Sequence, residues 1–114
     1  MVAHKYIPDK ADLIWLNFTP QAGHEQAGKR PAIVLSPLEY NRKTGLMIAC
    51  PITSKVKGYP FEVAVHAQKI KGVVLSDQVK NLDWKQRKVS FIEKVSSEIL
   101  EQVQEKLLLL IDGV

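Results

Sequence analysis

Residues 12–37 read DLIWLNFTPQAGHEQAGKRPAIVLSP. Two apolar runs flank a polar insertion, and the fold reading starts there. Leu13, Trp15 and Leu16 to Phe18 have strand-like spacing over 13–18, and Pro20 ends the run. Ala32 to Ser36 is apolar until its last residue, as in a short, buried central strand. Between them Gly23, His24, Glu25, Gln26, Gly28, Lys29 and Arg30 crowd into one connection. A loop that only reversed the chain needs about two to five residues. This one mounts an imidazole, a carboxylate and a guanidinium between two rigid supports, the usual mounting for reactive groups. Pro31 restricts Arg30 to extended backbone, so the arginine sits at the mouth of the second strand in a defined direction.

Working outward, residues 1–12 read as an irregular lead-in with a turn at Pro8 and Asp9. Pro37 suits the first turn of a short helix or 3₁₀ segment that Gly45 ends. A third strand is expected over 46–52, followed by a basic loop from Thr53 to Lys57 closed by Gly58 and Pro60. Phe61, Val63 and Val65 alternate with Glu62, Ala64 and His66, giving a half-exposed strand over 61–66. Residues 69–72 read as a turn, 73–76 as a fifth strand, and 89–95 as a last one, with a mixed, basic stretch over 79–87. Five or six short strands with tight connections predict a mainly β protein, a small barrel of one domain over 1–114. The tail carries the one long helical pattern: Ser96 or Ser97 caps it, Glu98 and Glu101 open it, and Gly113 lies past its end. Ile99, Leu100, Val103, Leu107, Leu110 and Ile111 share one side, which can cover an open barrel end. The four leucines of 107–110 are wider than one stripe and can help bury a partner chain.

Apolar residues make up 46% of the 114, enough for a modest core. The one cysteine, Cys50, excludes a disulfide framework and reads as a small buried hydrophobe in a reducing compartment. No apolar run reaches the roughly 20 residues that span a bilayer, and the N-terminus lacks a signal-peptide pattern, so a cytoplasmic protein is expected. Residues 1–95 hold 15 basic and 8 acidic groups, and residues 96–114 hold 1 and 4. A body at +7 with an acidic tail favours an anionic partner, nucleic acid first.

His4, His24 and His66 lack ligand spacing, and no nucleotide-loop motif is present, so neither a metal site nor a cofactor is expected. Cutting RNA without a metal needs a base for the 2′-hydroxyl, positive charge on the forming phosphorane, and a proton for the leaving oxygen. Glu25 can be the base, Arg30 can supply the charge through its fork of donors, and His24 can be a second acid or base. A Glu25–Arg30 pair can equally be a structural salt bridge.

The pattern of Trp15, Phe18, Pro20, Gly23, Glu25, Gln26, Gly28, Arg30, Pro31, Ser36 and Pro37 resembles the MazF/Kid-type toxins of bacterial type II toxin–antitoxin modules. Tyr40-Asn41, Pro51-Ile52-Thr53, Gly58-Tyr59-Pro60-Phe61 and Ser76-Asp77-Gln78-Val79 extend the likeness in one register over nearly the whole chain, closest to the MazF branch. It implies an SH3-like barrel with a C-terminal helix, a homodimer, and a metal-independent endoribonuclease. Such an enzyme cuts single-stranded mRNA at short sequences and leaves 2′,3′-cyclic phosphate and 5′-hydroxyl ends. It also implies an antitoxin whose acidic, extended segment crosses the RNA groove, with promoter DNA bound by the toxin–antitoxin complex. By resemblance Glu25 is the base, Arg30 the catalytic arginine and Thr53 the phosphate-contacting threonine, although a threonine there can also simply cap a turn.

Two departures from the pattern bear on the site. Leu75 stands where the Kid branch has an arginine, which leaves Asp77 a backbone or sequence-reading role as readily as a catalytic one. Lys29 replaces a histidine of the MazF branch, while His24 follows the GHEQ form of Kid-like members. Gln26, Lys29, Lys55, Lys57, Asp77, Gln78, Lys80, Lys85, Arg87 and Lys88 are candidates to touch RNA, whereas Trp15 and Phe61 are read as core. The other reading is a non-catalytic nucleic-acid binder or a gyrase poison of the CcdB kind, which has no need of a phosphate-directed Glu–Arg pair.

Overall fold

The computed structural model describes residues 5–17 and 29–113. Phe18, Pro20, Gly23, His24, Glu25, Gln26 and Gly28 lie outside the described residues. The elements are β1 (Asp12–Asn17), β2 (Lys29–Val34), α1 (Leu38–Thr44), β3 (Leu46–Thr53), β4 (Glu62–His66), β5 (Lys71–Leu75), β6 (Lys80–Asp83), β7 (Ser90–Lys94) and α2 (Ser97–Asp112). The sheet runs β4-β5-β3-β2-β1-β7, with β6 also paired to β3. The fold is mainly β, a half-barrel with a C-terminal helix.

β3 is the hub of this sheet. Its first half, Leu46–Ala49, pairs with Lys80–Asp83, and its last two residues, Ile52 and Thr53, pair with Val74 and Val73. The β5–β6 connection therefore lies alongside the middle of β3, between those two stretches. On the other edge Ala32, Ile33 and Val34 pair with Pro51, Cys50 and Ala49. Because strand side chains alternate, the sheet has two apolar faces. Leu13, Ile33, Cys50, Ile52, Val63, Val65 and Val74 fill one, together with Leu100 and Val103 of α2. Ile14, Leu16, Ala32, Val34, Met47 and Ala49 fill the other, under Leu82 and Trp84.

Several boundaries differ from the sequence reading. β2 starts at Lys29 rather than Ala32, because Leu16 and Asn17 pair with Arg30 and Lys29. Pairing to β3 begins only at Ala32, so Pro31 occupies a stretch that is an edge on that side, where a missing donor is tolerated. Among the described residues seven strands form instead of five or six: β6 lies in the stretch read as mixed and basic, since Leu82 alone of its residues packs inward. Gly72 is not in a turn but inside β5, where an added Cβ would stand 2.3 Å from the Thr53 carbonyl oxygen. Glycine lets β5 pass that close beneath Thr53.

The helices match their sequence signals. Pro37 and Gly45 flank α1, Gly45 at φ 74° closing it. Ser96 accepts from the Ile99 amide and caps α2, whose packing partner in the sheet is β4. Only its first half is buried; Leu108, Leu109, Leu110 and Ile111 are exposed. No described helix is long and apolar enough to cross a membrane.

Candidate functional site

The face of β2 and β3 that carries Ala32, Val34 and Ala49 changes character at its far end. Continuing the Ala32–Pro51 register by two residues sets Arg30 across from Thr53, on that same face. Tertiary cover stops before them, so Arg30 is exposed and Thr53 half-buried. They form a wall of a cavity of about 370 Å³. Lys55, Lys57 and Lys80 make it basic; Pro51, Ile52, Tyr59, Phe61 and Leu75 give it an apolar lining; Glu62, Asp77 and Gln78 complete it.

Each wall has a local cause. Thr53 Oγ1 accepts from the Lys55 amide at 3.1 Å, as a turn-capping hydroxyl does, and its own O–H has no acceptor among the described residues. Capping and phosphate contact are thus compatible in one hydroxyl. The exposed loop after β3 is pinned by Glu62, whose carboxylate accepts from the Lys57 and Gly58 amides at 3.1 and 3.0 Å. Lys106 of α2 donates to the Pro60 carbonyl at 2.6 Å and holds the same loop from the helix side. Asp77 and Gln78 arrive on the β5–β6 connection, alongside the middle of β3. Arg30 has no carboxylate partner among the described residues.

Cys50 lies on the opposite face of β3, fully buried, with Sγ 3.8 Å from the Ser76 carbonyl. Burial, and then the charge of Asp77, push its thiol up to about 12. The raised value favours the folded state fully below the unfolded thiol's value of about 8.5, and that contribution is lost as pH rises through about 12. Native protein at pH 8 should therefore resist alkylation by iodoacetamide and react on addition of urea. Rapid native labelling at a rate equal to the unfolded chain's would contradict this placement.

The structure brings Arg30, Thr53, Lys55, Lys57, Asp77, Gln78 and Lys80 to one cavity, with Lys29 beside Arg30 on β2. Lys85, Arg87 and Lys88 lie elsewhere, on the turn after β6. There Lys85 sits 5.5 Å from the Trp84 ring centroid and Arg87 Nη1 donates to the Asn17 carbonyl at 3.1 Å. Glu25, His24 and Gln26 fall outside the described residues, but their attachment points are fixed: Asn17 and Lys29 are register partners, next to Leu16 and Arg30. Phe61 corrects the sequence reading, since it precedes β4 and lines the cavity, whereas Trp15 packs against the core. Tyr59, with Lys57 Nζ 5.9 Å from its ring centroid, was also missed. Its sequence signal was the Gly58-Tyr59-Pro60-Phe61 match, which sets it two residues after Lys57.

A basic, aromatic-lined cleft on a β half-barrel capped by a C-terminal helix defines a class of small protein that can hold a polyanionic strand. Residues 9–111 match the family described as PemK-like, MazF-like toxin of type II toxin-antitoxin system, and the chain belongs to that family. It is 48% identical over 107 residues to the endoribonuclease toxin MazF of Escherichia coli K12, covering 94% of this chain and 96% of that protein. It is 34% identical over 96 residues to the Escherichia coli endoribonuclease PemK, covering 79% and 72%. The crystal structure of MazF from Deinococcus radiodurans superposes with a TM-score of 0.86 at 52% identity, over 95% of this chain and 99% of that one. MazF in a MazE–MazF crystal structure from the same organism superposes with a TM-score of 0.84 at 46% identity, over 94% and 97%.

Proposed function

We propose that this chain is a metal-independent endoribonuclease that cleaves single-stranded mRNA at short sequences and so stops translation. The observation that carries the reading is the Arg30–Thr53 pair. A guanidinium and a free hydroxyl donor stand side by side at the wall of a basic cleft, with no carboxylate partner among the described residues to neutralise them. Both are donors suited to a phosphodiester's non-bridging oxygens. Tyr59 and Phe61 offer faces for unstacked bases, which a duplex does not expose.

In the proposed reaction the 2′-oxygen attacks phosphorus as Glu25 takes its proton. Arg30 holds the dianionic phosphorane, and Thr53 donates to one of its equatorial oxygens. The P–O5′ bond then breaks, leaving a 2′,3′-cyclic phosphate, and the departing O5′ takes a proton from His24 or water. Gln78 and Asp77 present polar edges for reading a base. The active unit is a homodimer, neutralised by an antitoxin whose acidic extended segment competes for the cleft, and the toxin–antitoxin complex binds its promoter DNA.

Incubation of purified protein with a long single-stranded RNA in EDTA, with end mapping, tests the reading. Discrete cleavage with 5′-hydroxyl ends is expected. Intact RNA in the presence of folded protein would refute it.

A further inference from the structure

Arg30 and Thr53 also border a second depression, of about 440 Å³, which shares Ile52 and Lys55 with the first as well. We infer that this depression is a backbone-phosphate subsite, in which Lys69 and Lys71 hold the RNA strand after it crosses the Arg30–Thr53 wall. The inference rests on the RNA-cleaving reading above and adds residues outside the cleft described there.

The two depressions differ in chemistry. The first mixes cations with Asp77, Glu62, an amide and two aromatic rings, groups able to tell bases apart. Among the described residues the second is lined by Lys29, Arg30, Lys55, Lys69 and Lys71 and by no carboxylate or aromatic residue. A cationic surface without base-reading groups positions phosphates and carries no sequence information. Lys29, Lys55, Lys69 and Lys71 are all exposed, and none has an ion pair among the described residues.

The fold holds these lysines in place. The nearby carboxylate, Glu93 of β7, is occupied with backbone, accepting from the Gln68 and Lys69 amides at 3.3 and 2.6 Å. With the Ala67 amide bonded to the Ile70 carbonyl at 3.0 Å, this fixes the turn that presents Lys69. Gly72 then brings β5 so close beneath the Thr53 carbonyl that Lys71, its neighbour, is tied to the same wall. One continuous basic track therefore runs past Thr53 on both sides.

The test measures binding of a fully 2′-O-methylated, mixed-sequence RNA, which cannot be cleaved, by wild type and by K69Q/K71Q in EDTA. Losing two phosphate contacts should flatten the slope of log K against log salt by about 1.4. The wild type's advantage then shrinks roughly 7-fold between 50 and 200 mM salt. The control K10Q/K43Q removes the same charge away from the depression and should leave the slope unchanged.

Wild-type affinity and slope in K69Q/K71Q overturn the inference, as does an equal change in the control. A defect confined to binding an acidic peptide, with RNA binding intact, also overturns it and assigns the depression to a protein partner. Failure of the wild type to cleave unmodified RNA would instead undo the enzymatic reading while leaving this binding comparison readable.

Discussion

Arg30→Ala lowers the rate of RNA cleavage by about 10² to 10³ and leaves the melting temperature within about 3 °C of wild type. The rate loss corresponds to roughly 3 to 4 kcal/mol, the usual effect of deleting one preorganised donor from a site where anionic charge develops. The small thermal effect follows from exposure: Arg30 lies where pairing to β3 has ended and contributes to neither apolar face. Arg30→Lys should recover little, because a point charge does not reproduce two parallel donors. A structural salt bridge to Glu25 forecasts the opposite correlation, with activity and stability falling together. Calorimetry beside a single-turnover assay separates the accounts, and a variant with near-normal cleavage removes Arg30 from the mechanism.

What could be read in the sequence depended on whether the information was local. β1 was legible from its unbroken apolar run, β4 because its apolar residues alternate, and α2 because Ser96, Glu98 and Gly113 bracket an apolar stripe. β6 was not, since KNLD holds one apolar residue and becomes a strand only by pairing with Leu46–Ala49. Gly72 was misread for the same reason. Its glycine is required by Thr53, 19 positions earlier, and not by a turn.

The site shows the same division. Arg30 and Thr53 were singled out individually, but that they face each other follows from the β2–β3 register, which no local pattern states. Charge drew attention to Lys85 and Lys88 as strongly as to Lys80. The hub strand β3 decides among them, because it brings Lys80 beside Ala49 and sends the following turn past Trp84. Lys69 and Lys71 drew no attention, their segment having been assigned to a turn.

The Ser36-Pro37 and Tyr40-Asn41 matches have a different explanation from the Glu25 and Arg30 ones, and it carries the largest expected effect on stability. Asn41 is fully buried. Its Nδ2 donates to the Pro8 and Ser36 carbonyls at 2.7 and 3.0 Å, and its Oδ1 accepts from the Ser36 hydroxyl. That hydroxyl accepts in turn from the Ile48 amide at 2.8 Å, and the Asn41 carbonyl accepts from Trp84 Nε1 at 2.8 Å. One side chain thereby ties the lead-in to the end of β2, with α1, β3 and the turn after β6 joined through its neighbours.

Asn41→Ala strands two carbonyls and a hydroxyl in a site water does not reach, each such group costing about 1 to 3 kcal/mol. After relaxation a loss of about 3 kcal/mol or more is expected, lowering the melting temperature by roughly 10 to 20 °C. Asn41→Asp should do no better, since it removes both amide donors and buries a charge. Cleavage by the folded fraction, measured well below the transition, should stay within about twofold of wild type, because Asn41 lines neither depression. A melting temperature lowered by less than about 3 °C would mean the network is dispensable. Lost activity at an unchanged melting temperature would move Asn41 from the scaffold into the site.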